Sequence, residues 1–315
     1  IKEALLKKST IATPIYADLT LSHLVGKVID KASKIKVMSM PMLSELRTFV
    51  VDGTQYAISN QLRLRPGVYT KRAESGEVIS HFNMGRGGSF KLSMEPETGI
   101  FYWQIDTAKK AVPLYPILKY LGMDDNTLIQ AWGKALYDVN RAKTSDKGTQ
   151  ALNTLYKRFT YAAENPEGKS EDEKVKAVIK FFNDRTELDS KTTLSTLGSS
   201  YEKLSAKVLL DATKKILGVF QNKIEEDERD SLEFKKLLTV DDFFKEIMMK
   251  ERGKKVINKI KMKLNSASGI PKLEKVFYAG MFSGPITSFV TTESISGTPD
   301  QITPVEILDH TNKIT

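Results

Sequence analysis

The sequence predicts an α+β fold with strands first and helices after, and three observations carry the prediction. Between about Pro14 and Asp106, short apolar runs alternate with turn signals. Between about Pro113 and Leu264, apolar residues recur every three or four positions. Polar stretches punctuate that second region, and no internal repeat of 20 to 50 residues runs through the chain.

The strand-like runs are TFVV at 48–51, YAIS at 56–59, GVYT at 67–70 and IFYWQI at 100–105. Between them stand Asp52-Gly53, Glu74-Ser75-Gly76, Gly85-Arg86-Gly87-Gly88 and the stretch from Glu95 to Gly99. Glycine supplies positive φ in such turns, so the region reads as antiparallel and rich in hairpins. In the hairpin Val51–Arg72, Asp52-Gly53 is the expected turn. Val50, Ile58, Leu62 and Val68 form its expected buried side, and Pro66-Gly67 a bend that ends the second strand.

Helices begin at Leu114, where Ile117, Leu118 and Leu121 fall on one face and Gly122 is placed to cap the end. The same spacing recurs in VKAVIKFF (175–182), LSAKVLLDATKKILGVF (204–220) and the long stretch 240–264. The polar stretches 141–150, 164–174 and 188–200 are the expected loops. From Ser266 the chain, with Gly269, Gly280, Gly284 and Gly297, is expected to be irregular.

At 315 residues the chain can bury one large core or two medium ones. With 40% hydrophobic and 28% charged residues it reads as soluble and globular, and no run approaches a membrane span of about 18 apolar residues. It does not begin with Met, so it reads as a piece of something longer. The absence of cysteine excludes disulfides and thiolate zinc sites, and the three histidines lack metal-binding spacing. The net charge of +9 favours a partner carrying phosphate.

Three clusters carry possible chemistry. GRGGS (85–89) lacks the GxxxxGK[ST] pattern and precedes a strand, so it reads as a tight bend with Arg86 placed to face a phosphate. IEEDERD (224–230) reads as a solvated charged surface in preference to a carboxylate metal site, with a Mg²⁺-dependent nuclease using Asp227 or Asp230 as the alternative. The segment from Lys250 to Lys263 sets seven basic residues, among them Lys254 and Lys255, against Glu251. Val256, Ile257, Ile260 and Leu264 give it an apolar face for docking; the rest is either a solvated face or a surface for nucleic acid. A stand-alone basic nucleic-acid-binding protein is therefore one reading of the chain.

TFVVDGTQYAISNQLRLRPGVY (48–69) resembles the hairpin of multisubunit RNA polymerase β subunits, usually TFIINGxERVxxSQLxRSPGVY; Thr48, Phe49, Gly53, Gln61, Leu62 and Arg65 to Tyr69 match, and Asp52 replaces Asn. Further blocks follow in the family's order. MGRGGSFKLSMEPETGIFYWQID (84–106) resembles YRGSWLxFEFDPxxxxFVRID, and LYPILKYLG (114–122) resembles the LLRALG helix. DERDSLEFKKL (227–237) is similar to DxDHLGNRRV, and PVEILDHTNKIT (304–315) to the rifamycin-pocket segment SQFMDQTNPLS.

The resemblance implies the amino-terminal half of β: a protrusion over 1–83 and 228–295, an inserted and mainly helical lobe over 84–227, and the start of the fork at 296–315. It implies a subunit of a DNA-directed RNA polymerase, a nucleotidyltransferase, with Mg²⁺ held by the β′ partner and no catalytic residue or cofactor on this chain. The implied partners are the rest of β, β′, template DNA and the RNA–DNA hybrid, with no membrane. Arg63, Arg65, Arg86, Lys235, Lys236, Lys254 and Lys255 are the candidate nucleic-acid contacts, with Arg63 and Arg65 also readable as surface arginines. Glu306, Asp309, His310 and Asn312 occupy rifamycin-pocket-like positions. Glu306 replaces a drug-contacting Gln, which implies weak rifamycin sensitivity. The divergence, including Gln104 for Arg and Lys235-Lys236 for Arg-Arg, points to a phage or viral polymerase with a split β, working in a host cytoplasm or packaged in a virion.

Overall fold

The computed structural model describes residues 1–23, 26–85, 88–105, 111–159, 168–249, 251–266, 272–277, 280–299 and 303–315. The chain forms two compact units, Ile1–Arg63 with Leu237–Thr315, and Leu64–Lys236. The lobe expected over 84–227 lies inside the second unit, which also takes in 64–83 and 228–236. The fold is α+β, as the alternation of periods implied. No helix among the described residues is long and apolar enough to cross a membrane.

The first unit opens with a short helix, Lys2–Leu6, followed by a long antiparallel ribbon of Ala12–Ser22 and Val28–Pro41. A three-stranded sheet has Thr54–Ile58 at its centre, between Phe49–Val51 and Ser296–Gly297. Asp52 (φ 49°) and Gly53 (φ 76°) both take left-handed backbone, as a two-residue type I′ hairpin turn demands. Gly53 is required twice over, because a Cβ there would stand 2.6 Å from the Lys8 backbone. The Asp52 backbone N–H donates to Thr10 Oγ1 at 3.0 Å, and that hydroxyl donates to Asp52 Oδ1 at 2.9 Å, fastening the turn to the chain that leaves the first helix.

The helix Val240–Met249 presents Phe243 and Phe244 to this sheet. Phe244 lies 5.7 Å from Phe49 and 6.0 Å from Phe289, ring centroid to ring centroid, in tilted and edge-on pairs. Val50 and Ile58 are buried as expected, but Leu62 is 38% exposed. Ser59-Asn60 interrupts the strand, so the period-two alternation does not carry from Ile58 to Leu62. The chain after Ser266, expected to be irregular, is largely helical where described: Leu273–Val276, Ser283–Thr292 and Pro304–Asn312. Ile286, Phe289 and Val290 supply the helical spacing that the scattered glycines obscured.

The second unit is built on a five-stranded antiparallel sheet in the order Val112–Pro113, Phe101–Ile105, Phe90–Met94, Val78–Asn83, Gly67–Arg72. Gly76 (φ 84°) and Gly99 (φ 70°) sit in two of its reversals. Helices Leu114–Tyr120, Asp125–Trp132, Lys134–Thr144, Gly148–Phe159, Glu171–Arg185, Ser190–Leu197 and Ala206–Phe220 complete it. Side-chain caps at Asp124, Ser170, Asp189 and Ser205 start four of them, and Gly122 (φ 86°) follows the first as expected.

Two expected loops are therefore helical. Over 141–150, one helix ends and another begins, because Ala151, Leu152 and Leu155 continue the buried face. Over 188–200, Asp189 caps Ser190–Leu197, and the Thr193 and Thr196 hydroxyls bond back to carbonyls of their own turn. Conversely, Lys235–Leu238 is a short strand inside the stretch expected to be helical.

The core of this unit is aromatic. Phe82 stacks on Phe90 at 4.3 Å, Phe90 meets Trp103 at 4.5 Å, and Trp103 reaches Phe159 at 5.8 Å. Trp132 Nε1 donates to Thr213 Oγ1 at 2.8 Å, whereas the buried Trp103 Nε1 has no hydrogen-bond acceptor among the described residues. Asn140, fully buried, is satisfied at both ends: its Oδ1 accepts from Phe101 N, and its Nδ2 donates to the Gly99 and Leu136 carbonyls.

Candidate nucleic-acid interface

Arg63 ends the first segment of the first unit, on the exposed side of the strand Gln61–Leu64. Its Nη1 donates to Glu246 Oε2 at 2.6 Å and its Nε to Gln61 Oε1 at 2.7 Å. Its guanidinium lies 5.7 Å from the centroid of Phe243. Arg63 is thus already engaged on two sides while keeping 43% of its side chain exposed.

Arg65, in the second unit, is a strut. Its Nε donates to the Lys235 carbonyl at 3.2 Å, its backbone N–H to Phe234, and its own carbonyl accepts from Tyr69 Oη and Asn83 Nδ2. Lys235 is half-buried, with Nζ 3.4 Å from Asp230, whose carboxylate is almost wholly exposed. Lys236 is exposed. Arg86 lies outside the described residues, as does the side chain of Lys254.

The acidic run 224–230 is mostly exposed, as expected of a solvated surface, but Asp227 turns inward and two of its carboxylates have a structural task. Gly67–Arg72 is the edge strand of the five-stranded sheet, and two outward-facing N–H groups of that edge are met by carboxylates. Thr70 N donates to Asp227 Oδ2 at 2.7 Å, Arg72 N donates to Glu226 Oε2 at 2.9 Å, and Asp227 N returns a bond to the Thr70 carbonyl. The run therefore covers the edge by side-chain pairing, where a further strand would otherwise dock.

Asp227 also takes a hydrogen bond from Lys215 Nζ at 2.5 Å, both side chains being about nine-tenths buried. Burial pushes the Asp227 carboxyl above its ordinary value, and Lys215 and the Thr70 N–H pull it back. Lys215 was legible as an anomaly: it stands on the apolar face of its helix, three positions from Ala212 and four from Val219. Nothing local marked Asp227 as its partner. Among the described residues, no group of three His, Asp or Glu could hold a metal ion, and Asp227 is committed to Lys215 and Thr70. The carboxylates of the run do not fit a Mg²⁺ site.

In the helix Glu251–Asn265, Val256 is buried and Ile260 and Leu264 are half-buried, but Ile257, expected on the docking face, is 46% exposed. At 100° per residue Ile257 falls beyond the stripe that Val256, Ile260 and Leu264 define. Lys255, Lys259, Lys261 and Lys263 are exposed around the rest of the helix.

The helix Pro304–Asn312 carries the four rifamycin-pocket-like residues. Glu306 closes a capping box with Thr303: its Oε2 accepts from Thr303 N at 2.9 Å, and its own N–H donates to Thr303 Oγ1 at 3.3 Å. Asp309 is exposed and His310 half-buried against Gly297. Asn312 Oδ1 accepts from Arg47 Nη1 at 3.0 Å.

Comparison with known proteins places this geometry. Residues 64–238 match the family described as RNA polymerase Rpb2, domain 2. The DNA-directed RNA polymerase subunit beta of Syntrophomonas wolfei is 30% identical over 142 residues, 41% of this chain and 12% of that subunit. The corresponding subunit of Prochlorococcus marinus strain MIT 9312 is 24% identical over 169 residues, 50% of this chain and 15% of that subunit. The matched part thus spans a small fraction of these relatives' length. The family match begins where the second compact unit begins, at Leu64, and runs two residues past its end. It covers more than half of the chain, which therefore belongs to the RNA polymerase Rpb2, domain 2 family and represents an amino-terminal portion of a DNA-directed RNA polymerase β subunit.

Proposed function

We propose that the chain forms part of the wall of the DNA and RNA–DNA hybrid channel in a multisubunit RNA polymerase, and that the catalytic metal ligands lie on a β′ partner. The observation that carries this reading is the coincidence of the family match with the compact unit Leu64–Lys236, supported by relatives that are β subunits. The partners are the remainder of β, β′, template DNA and the hybrid. RNA synthesis in such an enzyme is phosphoryl transfer assisted by Mg²⁺, and no step of it is assigned to residues of this chain.

The chain's part is to hold nucleic acid by its phosphates, which makes binding tolerant of sequence and steeply salt-dependent. Arg63 and Arg65 act here as supports, since both are already hydrogen-bonded within their own units. Lys255, Lys259 and Lys261, exposed on the helix Glu251–Asn265, are better placed to meet phosphate. The identities of 24–30% to bacterial β subunits fit a divergent enzyme, and we propose a phage or viral source with β divided between polypeptides, in a host cytoplasm or virion.

Affinity purification of the natively expressed chain tests the reading. The expected result is recovery with a β′-like chain bearing an aspartate-rich metal motif, in a complex that makes RNA from a DNA template. Recovery as a stable monomer without such a partner would overturn it.

A further inference from the structure

The ribbon of Ala12–Ser22 and Val28–Pro41 has two unlike faces. One carries the buried Ala32 and Met38. The short helix Leu273–Val276 is tied to the same ribbon, Leu273 N donating to Asp30 Oδ2 at 2.7 Å. The other face is open: Tyr16, Asp18, Thr20 and Ser22 are exposed, while the alternating Ala17, Leu19 and Leu21 are half-buried.

On that open face an aromatic ring stands among cations. Tyr16 is 58% exposed and lies directly opposite Lys36 in the register. Two steps further on the same side, Thr20 lies opposite Lys31. Between these pairs the second strand bulges, and the bulge holds Lys34 at φ 54°, left-handed backbone that costs a lysine about 1 kcal/mol. Asp18 holds it there, its Oδ1 accepting from Lys34 N at 2.8 Å. None of Lys31, Lys34 and Lys36 has an ion-pair partner among the described residues. The face thus sets three lysines against one carboxylate, Asp18, beside a solvent-exposed ring.

We infer that this face binds single-stranded nucleic acid, with an unpaired base stacked on Tyr16 and neighbouring phosphates met by Lys31, Lys34 and Lys36. The chemistry argues for a single strand: an exposed ring offers a stacking platform only to a base released from its pair, and lysines spaced along a groove or ribbon track the backbone without reading sequence. The two cross-strand pairs are four residues apart, roughly 13 Å along the strand, which gives room for a few nucleotides. The inference deepens the channel reading, since an open bubble supplies such a strand. Its test uses the purified full chain alone and does not depend on assembly.

Fluorescence anisotropy of labelled oligo-dT, oligo-U and a hairpin duplex, titrated with the full chain across a salt series, reads the affinity and its salt slope. Both single strands are expected to bind more tightly than the duplex. Tyr16→Ala should weaken single-strand binding by roughly 5- to 150-fold, the range for loss of one stacked base, and Tyr16→Phe should restore it. Lys31→Ala with Lys36→Ala should lower the salt slope by about 1.4, near 0.7 per lysine on a single strand. Tyr16 and Lys31 are exposed and Lys36 is half-buried, so unchanged thermal melts of each variant verify the fold. Binding by Tyr16→Ala within twofold of the parent, tighter binding of the duplex, or an unchanged slope in the lysine variant would each overturn the site. Should the ribbon variants behave as expected while the native chain purifies without a β′-like partner, the channel reading fails and the ribbon site stands.

Discussion

The two units of this chain solve stability differently. Among the described residues, the unit Leu64–Lys236 gathers 31 buried hydrophobic residues into one cluster around Trp103, whereas the cluster of the other unit holds ten around Phe49, Phe244 and Phe289. Charge runs the other way. The first unit holds 20 basic and 14 acidic residues, a net +6, and the second 28 and 25, a net +3. The second unit buries one ion pair, Lys215–Asp227, and sets Arg72 beside Glu226 at the edge of its sheet; in the first, Lys31 and Lys34 of the ribbon and Lys255, Lys259 and Lys261 of the helix Glu251–Asn265 are exposed. If the first unit is the one that meets phosphate, as proposed above, its larger positive charge serves that contact.

Perturbing each unit at its centre sharpens that contrast. Trp103→Ala should cost about 4 kcal/mol in chemical denaturation, the range for emptying a large aromatic from a packed core. Trp103→Phe should cost under about 1.5 kcal/mol, because its Nε1 gives up no hydrogen bond to an acceptor. A cost for Trp103→Phe equal to that of Trp103→Ala would show that the indole is held by something other than packing.

Lys215→Met comes next, at about 3 kcal/mol near neutral pH, since it strands the buried Asp227 carboxylate. Burial already raises that carboxyl, and removing Lys215 raises it further. The folded variant then binds its proton more readily than the unfolded chain does. The variant should therefore regain stability relative to the parent as pH falls toward the ordinary carboxylate range. Lys215→Met paired with Asp227→Leu should be closer to neutral than either change alone, and additive costs in that double-mutant cycle would refute the coupling.

In the first unit, Gly53→Ala should cost about 2 kcal/mol, combining left-handed backbone with collision against Lys8. Proteolysis should then cut first between Lys2 and Ile11. Lys255→Ala with Lys259→Ala should change stability by less than about 0.5 kcal/mol, both side chains being exposed, yet flatten the salt dependence of duplex binding by roughly 1.8 in slope. A loss of stability without a change in slope would move those lysines from the phosphate-facing to the structural class.

The parts of this design legible in sequence are those set by neighbours along the chain. Asp52-Gly53 declared a type I′ turn because few other pairs tolerate φ above zero twice, and Gly122 marked a helix end for the same reason. The spacing of Val208, Ala212, Ile216 and Val219 announced a buried helix face. Hidden from sequence was whatever depended on distant partners. Leu62 looked buried until Ser59-Asn60 broke the alternation, and Ser190–Leu197 looked like a loop because threonines satisfy their hydroxyls within their own helix. Of the candidate contacts, composition located the basic helix, but it could not tell that Arg63 and Arg65 would be hydrogen-bonded within their own units while Lys255 stays exposed. The ribbon face escaped notice because Tyr16 and Lys36 are brought together only by register.

The carboxylates along the edge of Gly67–Arg72 carry a consequence for how the protein is made. Thr70 and Asp227 are separated by 157 residues. At 5–20 residues per second, a ribosome takes roughly 10–30 s to deliver the second after the first. For that interval the nascent sheet displays an unprotected rim. Synthesis speed and chaperone supply, rather than final stability alone, should thus decide how much of this chain reaches its native form in a foreign host.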